Sequence, residues 1–216
     1  MKKGFIGVDK AGSISHFPIV ISSIYAKEYK TFLDTLKEVR KIAVREKNVF
    51  LNKREIKSRD IKKVNIQKDI ADAITDNLDF FAVIINNNLY SDMRNLVIKK
   101  KEYMLKLESL FWYKSISLFC NKTNIIPKRV YLDFNYTNDR DLRLFEENIA
   151  VLFDRFHGIV PLISSHDSKD NDSIAISDLL SGFLMRNKAL AQKHKDKICI
   201  LNKSDIENEI KFLFKL

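Results

Sequence analysis

The chain is poor in the residues that build linkers, repeats and cross-links. Its 216 residues include 5 glycines, 3 prolines and 2 cysteines, and it contains no low-complexity stretch and no internal repeat. Cys120 and Cys199 lie far apart and fit no metal-binding spacing. Two cysteines do not make a disulfide framework in a chain of this size. Because both have apolar neighbours, we expect two buried, free thiols.

Long apolar segments are also missing. No apolar run approaches the roughly 18 residues that a membrane-spanning helix needs. The first residues, M-K-K-G-F-I-G-V-D, become acidic too early for the apolar region of a secretory signal. We therefore expect a cytoplasmic protein without a membrane partner. A glycine-rich phosphate loop, a nucleophile elbow and a Cys/His zinc pattern are absent as well.

Basic side chains, in contrast, are abundant. The chain has 38 Lys and Arg against 28 Asp and Glu, for a formal charge of +10. Such a balance favours a polyanionic partner, and nucleic acid is our first expectation. An acidic membrane surface would be attracted in the same way. A lysine-rich, solvated surface without any partner is the third interpretation.

The hydrophobic pattern predicts alternating strands and helices. We predict strands at residues 4–9, 17–25, 49–51, 80–86, 129–134 and 159–163, with 198–201 as a last strand or a buried connector. We predict helices at residues 26–46, 62–77, 91–121, 139–156, 173–191 and 204–216. Pro127 should break the chain before the strand at 129–134. Ser204 and Glu207 should form a capping box at the start of the last helix.

This order predicts an α/β fold in which helices flank a mixed sheet. The first two strands should form a hairpin, residues 91–121 should form a long helical insertion, and the chain should end in a helix. A hydrophobic fraction of 45% is enough for a full core. We expect a single domain over residues 1–216, with residues 204–216 as an appendage.

Three aspartates are the first candidates for chemistry. Asp9 and Asp133 each end a predicted apolar strand, and Asp178 lies on a helix of small residues. Carboxylates at the carboxyl ends of neighbouring strands, facing a helix carboxylate, can share divalent cations. Each aspartate also has a simpler explanation: Asp9 as a turn residue, Asp133 as an ion pair or strand-end cap, and Asp178 as a solvent-facing charge. Gly182, inside the same helix, suggests a packing or site requirement, because glycine costs about 1 kcal/mol there.

Further charged residues are weaker candidates. Glu55 precedes a predicted helix in a basic stretch and could be a solvated charge. The loop at residues 164–172 contains several ionisable residues, namely His166, Asp167, Asp170 and Asp172. Asp170 and Asp172 could simply cap the following helix. Lys10 and Lys57 are candidate phosphate ligands.

These segments resemble two branches of the ribonuclease H-like superfamily. G-V-D-K-A-G-S resembles the first strand of type 2 ribonucleases H, where Asp-Glu-Ala-Gly-Arg-Gly is usual, and V-Y-L-D-F-N resembles their later aspartate strand. E-I-K-S and I-S-D-L-L-S-G resemble the Glu-Leu-Lys-Ser and Ala-Asp-Leu-x-x-Gly elements of the domain-of-unknown-function 3800 family. We favour this second branch. The resemblance spans residues 4–186.

The resemblance implies a metal-dependent nuclease. Asp9, Glu55, Asp133 and Asp178 would bind two Mg²⁺ or Mn²⁺ ions, with Lys10, Lys57, Asp170 and Asp172 as possible auxiliary residues. Two hard cations about 4 Å apart activate a water and stabilise the leaving oxygen of a phosphodiester. Lys10 departs from both branches, which usually have Glu there, and Ser13 and Ile14 replace the Arg-Gly that type 2 enzymes use at a ribonucleotide junction.

Two other functions compete with this one. A catalytically inactive nucleic-acid-binding protein would keep the fold and the basic surface, and Lys10 beside Asp9 supports it. A protein-binding role would use the exposed face of the long helix at residues 91–121. DNA, RNA and hybrid substrates remain equal alternatives at this point.

Overall fold

The computed structural model describes residues 2–13, 16–46, 56–97, 101–133 and 138–215. The strands in these ranges are β1 (Lys2–Ser13), β2 (His16–Ala26), β3 (Asp79–Ile85), β4 (Ile125–Asp133), β5 (Leu162–His166) and β6 (Ile198–Ile200). The helices are α1 (Tyr29–Ala43), α2 (Val64–Asn77), α3 (Asn87–Val97), α4 (Lys101–Thr123), α5 (Asp139–His157), α6 (Asp172–Arg186), α7 (Lys188–Lys193) and α8 (Glu207–Phe214). Short 3₁₀ turns cover Ser58–Asp60, Lys195–Lys197 and Lys203–Asp205.

The described strands form one mixed sheet in the order β5-β4-β1-β2-β3-β6. β1 and β2 pair antiparallel, as the sequence predicted for a hairpin, and β3 continues this antiparallel pairing. β4 lies parallel to β1, and β5 lies parallel to β4. The predicted α/β fold with a mixed sheet is therefore confirmed, and β1 occupies its centre.

Helices cover both faces of the sheet. α4, α5 and α8 share one hydrophobic cluster with the sheet, and α1, α2 and α6 share the other. Two consecutive buried serines of β2 show how strand alternation separates these layers. The Ser22 hydroxyl bonds to the Ser177 hydroxyl of α6 at 2.7 Å, whereas the Ser23 hydroxyl bonds to the Ser115 hydroxyl of α4 at 2.9 Å.

Small residues bring α6 unusually close to the sheet. A Cβ added at Gly7 of β1 would lie 2.6 Å from Cβ and 2.7 Å from the carbonyl carbon of Ser173. A Cβ added at Gly182 would lie 2.0 Å from the hydroxyl of Ser58 in the first 3₁₀ turn. The packing reason suspected for Gly182 therefore exists, but its neighbour is this turn and not the sheet.

The strand bounds differ from the prediction at the residues that matter most. β1 continues past Asp9 to Ser13, so Asp9 does not end its strand, because β2 pairs with β1 beyond that point. Pro127 lies inside β4 and does not break the chain before it. The pairing of β4 with β1 shifts register between Gly4 and Phe5, directly beside Pro127. An irregular pairing tolerates proline, which has no N–H to donate.

The helical predictions needed three corrections. The helix predicted at residues 173–191 is two helices, because the Asn187 side chain caps a new helix at the Leu190 N–H, 3.1 Å away. The predicted Ser204–Glu207 capping box is wrong, since Asn202 and Asp205 form the box instead. The long helix predicted at 91–121 is seen as α3, which begins at Asn87, and α4. Residues 98–100 and the strand predicted at 49–51 lie outside the described residues.

Both cysteine thiols are free, as predicted. Cys120 is buried, and burial raises the pKa of its thiol to about 12, whereas Cys199 is only half-buried. Within the described ranges, no helix is both long and apolar enough to cross a membrane.

Candidate metal and nucleic-acid site

The sheet places Asp9 and Asp133 on adjacent strands. The parallel pairing of β1 with β4 extends to Val8 and Leu132, so the two aspartates follow side by side. Asp9 is only 4% exposed. Asp133 is the last residue of β4, partly buried, and lies opposite His166 of β5. The prediction that both carboxylates occupy the carboxyl end of the parallel strands therefore holds for β4 and for the parallel part of β1.

Hydrogen bonds hold α6 against the same part of the sheet. Ser22 is the partner of Asp9 across the β1–β2 pair. Its hydroxyl donates to the Ser177 carbonyl at 2.9 Å, and the Ser177 hydroxyl donates to the Ser22 carbonyl at 2.8 Å. Because Asp178 is the next residue of α6, these bonds fix the third carboxylate near Asp9.

Electrostatics link the three carboxylates, which we call the carboxylate site. Burial raises the pKa of Asp9 well above its usual value, and the charges of Asp133 and Asp178 raise it further. The Lys10 backbone N–H, 2.6 Å from Oδ1 of Asp9, and the charge of Lys57 lower it. The carboxylate of Asp9 is thus in a place where negative charge is costly and a cation would be stabilised.

Lys57 supplies the positive charge on the α6 side of the site. Its Nζ lies 3.5 Å from Oδ2 of Asp178 and donates to the Ser168 hydroxyl at 3.1 Å. The first 3₁₀ turn holds the backbone of Lys57, whose N–H donates to Asp60 at 3.4 Å. Ser58 packs into the space left by Gly182. The predicted auxiliary residue Lys57 therefore does reach the carboxylate site.

Lys10 points to the other face of the sheet. Its ammonium forms an ion pair with Glu108 of α4. It also lines a small cavity of about 20 Å³ with residues of β2, β3 and α4. Burial lowers the pKa of Lys10, and the charges of Asp9 and Asp133 oppose this, so they still act on it from a distance. Lys10 neighbours Asp9 in sequence but is not placed between the carboxylates.

The remaining predicted residues are Glu55, Asp170 and Asp172. Glu55 lies outside the described residues. Asp170 is exposed, and Asp172 is the first residue of α6, where its charge adds to burial in raising the pKa of Tyr29. The prediction that Asp170 and Asp172 cap α6 is wrong. The cap is Asn171, whose side chain accepts from the N–H groups of Ser173 and Ile174.

The donor atoms of the carboxylate site suit a hard divalent cation. Carboxylate oxygens are the ligands that Mg²⁺ and Mn²⁺ prefer. Within the described ranges, which leave out Glu55, no group of three His, Cys, Asp or Glu side chains is arranged to hold a metal ion.

Sequence reasoning missed three residues around the site. Ser168 orients Lys57, and Glu108 holds Lys10. Burial lowers the pKa of Arg186, and the nearby charges of Asp178 and Asp60 partly oppose this. A signal for Arg186 was present, because Asp178, Gly182 and Arg186 are spaced by four residues and share one face of the helix. Nothing in the sequence pointed to Ser168 or Glu108.

Comparison with known proteins gives similarity in structure alone. No protein-family model and no curated protein matches the sequence. The crystal structure of Bst-RNase HIII in complex with Mn²⁺ has a TM-score of 0.56 at 13% identity, and the match covers 89% of this chain and 55% of that one. The ribonuclease H2 from Pyrococcus horikoshii OT3 has a TM-score of 0.52 at 13% identity, over 90% and 77%. This chain thus spans about half the length of the RNase HIII.

These neighbours show that the fold is ribonuclease H-like, as the sequence resemblance predicted. Identities this low carry the fold and no more. The closer resemblance to the domain-of-unknown-function 3800 family stays a prediction.

Proposed function

We propose that this protein is a metal-dependent nuclease of the ribonuclease H type that hydrolyses phosphodiester bonds at the carboxylate site. The observation that carries the proposal is geometric: the register of β1 with β4 places Asp9 and Asp133 side by side, and the Ser22–Ser177 hydrogen bonds hold Asp178 of α6 near them. β1, β4 and α6 thus bring three carboxylates near one another, although repulsion between these charges does not stabilise the fold. The similarity in fold to ribonucleases H, one of them a Mn²⁺ complex, supports the same reading.

In this proposal Asp9, Asp133 and Asp178, completed by Glu55, hold Mg²⁺ or Mn²⁺. When bound, such ions lower the pKa of the attacking water and stabilise the leaving oxygen. Asp9 supplies a carboxylate that a cation would keep ionised, since burial and its neighbours raise its pKa.

Lys57 has the second role in the proposed reaction. Its ammonium, held by Ser168 and close to Asp178, is placed to bind a non-bridging phosphate oxygen. A fixed cation at that point stabilises the charge that develops on the phosphate in the transition state. Ser168 acts only by orienting Lys57 and is a positioning residue.

The partner in this proposal is nucleic acid, in agreement with the formal charge of +10. Residues 1–216 would act as one unit, because Ile206, which precedes α8, and Ile210 and Leu213 of α8 belong to the core cluster that contains α4.

Thermal unfolding with and without Mn²⁺ tests the site before any substrate is known. A ligand that binds only the folded state raises the unfolding midpoint. We expect Mn²⁺ to raise the midpoint of the wild type and not that of Asp133→Asn. The matched control is Asp154→Asn, an exposed aspartate on α5, which should respond like the wild type. Wild type and control should also cleave nucleic acid with Mn²⁺, and Asp133→Asn should not.

An inactive nucleic-acid-binding protein is the second candidate. The formal charge of +10 fits it as well as it fits the nuclease. Lys10, which favoured it at the level of the sequence, does not support it, because Lys10 pairs with Glu108 on the opposite face. This candidate predicts binding that is insensitive to EDTA and no Mn²⁺ response in any variant. The protein-binding alternative loses its surface over residues 105–120, where every residue of α4 is buried or half-buried.

A further inference from the structure

A group of exposed cations lies next to the carboxylate site and is not used by the proposed chemistry. Arg59, Lys62 and Lys63, which we call the basic strip, follow Lys57 in the chain and are all exposed. They begin in the 3₁₀ turn that packs against α6 and end at the start of α2. A strip that begins at a candidate phosphate ligand is positioned to bind the phosphates that follow it.

The structure fixes the backbone of this strip at both ends. At the site end, Lys57 contacts Asp178 and Ser58 packs against Gly182. In the middle, Ile61 is 1% exposed and its carbonyl accepts from the Gln67 amide at 2.8 Å. The backbone of the basic strip is thus anchored to the core, so binding would not require this backbone to be ordered first.

The acidic side chains next to the basic strip accept hydrogen bonds from the backbone. Glu46 is buried and accepts from the backbone N–H of Lys63 at 3.0 Å, which joins the strip to the end of α1. Asp60 accepts from the backbone N–H of Lys57. These carboxylates accept from backbone groups and form no ion pair with the ammonium or guanidinium groups of the strip in the described contacts, whereas Arg59, Lys62 and Lys63 are exposed to solvent.

The length of the basic strip limits the number of phosphates that it can contact. From Lys57 to Lys63 the chain extends at most about 20 Å, at roughly 3.3–3.6 Å per residue. One strand of a duplex has a phosphate about every 3.4 Å along the axis, so the strip faces no more than about six of them. Binding to a flat membrane surface would not require the basic strip to begin beside the carboxylate site.

We propose that the basic strip is the surface along which the phosphate backbone of a nucleic-acid strand lies as it enters the carboxylate site. This inference rests on the proposed function, which places the scissile phosphate at Lys57. The direction in which the strand would run along the basic strip follows from that placement. Recognition is of the sugar-phosphate backbone and does not depend on base sequence.

The test is salt-dependent binding in EDTA, where no hydrolysis occurs. The probes are fluorescein-labelled 20-nucleotide strands of DNA and RNA with one sequence, measured by anisotropy between 50 and 200 mM KCl. The variant Arg59→Gln/Lys62→Gln/Lys63→Gln should bind roughly tenfold or more weakly at 50 mM. Its plot of log affinity against log salt should be shallower by about 2 than that of the wild type, because each lost phosphate contact removes about 0.7–0.9 from the slope.

The matched control is Lys195→Gln/Lys203→Gln/Lys211→Gln, which removes as many charges from exposed positions outside the strip. It should keep the wild-type slope. An equal loss in both triple variants would show that only net charge matters and would overturn the proposal. Absence of wild-type binding at 50 mM, or strip-dependent binding to vesicles with anionic lipid in place of nucleic acid, would overturn it too.

The outcome for the strip is separable from the outcome for the nuclease. If Mn²⁺-dependent cleavage is never seen while the two triple variants differ in binding, the strip stands and the nuclease proposal falls. If cleavage occurs and the strip variant keeps the wild-type KM, the nuclease stands and the strip falls.

Discussion

Charge is arranged in opposite ways on the two faces of the central strand. Toward α6, Asp9 is buried beside two further carboxylates, which raise its pKa. Toward α4, Lys10 meets the oppositely charged Glu108, and nearby Lys114 of α4 donates to Glu209 of α8 at 2.6 Å. The α6 layer brings three carboxylates near one another with Lys57 beside one of them, whereas the two ion pairs of the α4 layer join charges of opposite sign.

This difference separates a binding site from a scaffold. Paired charges in the α4 layer satisfy each other and join helices to the core. Like charges in the α6 layer lower stability unless a cation joins them. The α4 layer should therefore be sensitive to loss of a charge, whereas the α6 layer should gain stability from the same kind of loss.

The largest expected effect is in the α4 layer. The side chains of Lys114 and Glu209 are 13% and 9% exposed. Glu209→Leu leaves the Lys114 ammonium without its acceptor, and we expect a loss of about 3–5 kcal/mol in the free energy of unfolding. The double variant Lys114→Met/Glu209→Leu should recover most of it, measured by chemical denaturation. Glu207→Gln, in an exposed pair with Lys211, is the control and should leave the midpoint unchanged. A fully stable Glu209→Leu would contradict this account.

The second effect has the opposite sign and lies in the α6 layer. Asp9→Asn removes a carboxyl group whose ionisation is opposed by burial and by two neighbouring carboxylates, so in EDTA at pH 7 we expect a higher unfolding midpoint than that of the wild type. Mn²⁺ should raise the midpoint of the wild type only. A loss of stability in Asp9→Asn would mean that the carboxylate is needed for packing.

The same carboxylate predicts a pH dependence in EDTA. Because the pKa of Asp9 is raised in the folded state, the folded protein holds a proton that the unfolded chain releases near pH 4. Stability should therefore fall as the pH rises from about 4 through the raised pKa, by at most about 1.4 kcal/mol per pH unit for this group. Unfolding by denaturant across that range should show less of this fall in Asp9→Asn, while Asp154→Asn should behave like the wild type.

The smallest expected effect tests whether the two layers are independent. The double variant Lys10→Met/Glu108→Leu removes both charges of the ion pair without changing net charge. Because Lys10 lies on the α4 side of β1, the Mn²⁺-dependent rise of the unfolding midpoint should stay within about 1 °C of the wild-type value. Loss of that rise would place Lys10 functionally within the carboxylate site.

Much of the architecture followed from local patterns. Strand periodicity and the order of elements predicted the hairpin of β1 and β2 and a mixed α/β sheet, because buried strands and amphipathic helices leave strong periodic signals. Boundaries were less predictable. Asn187 divides a continuous helical pattern, and Asn202 replaces Ser204 as the cap, because capping depends on side-chain hydrogen bonds that several nearby residues can make.

The sequence by itself determined which residues were candidates: carboxylates at the ends of parallel strands, an aspartate on a small-residue helix, and a lysine in the segment before α2. Only the tertiary structure decided which of them meet. Ser22 and Ser177 fix α6 over Asp9, and Ser168 turns Lys57 toward Asp178. Strand alternation sends Lys10 to Glu108. Such contacts join residues far apart in the chain, so they depend on how layers pack and leave no periodic trace in the sequence.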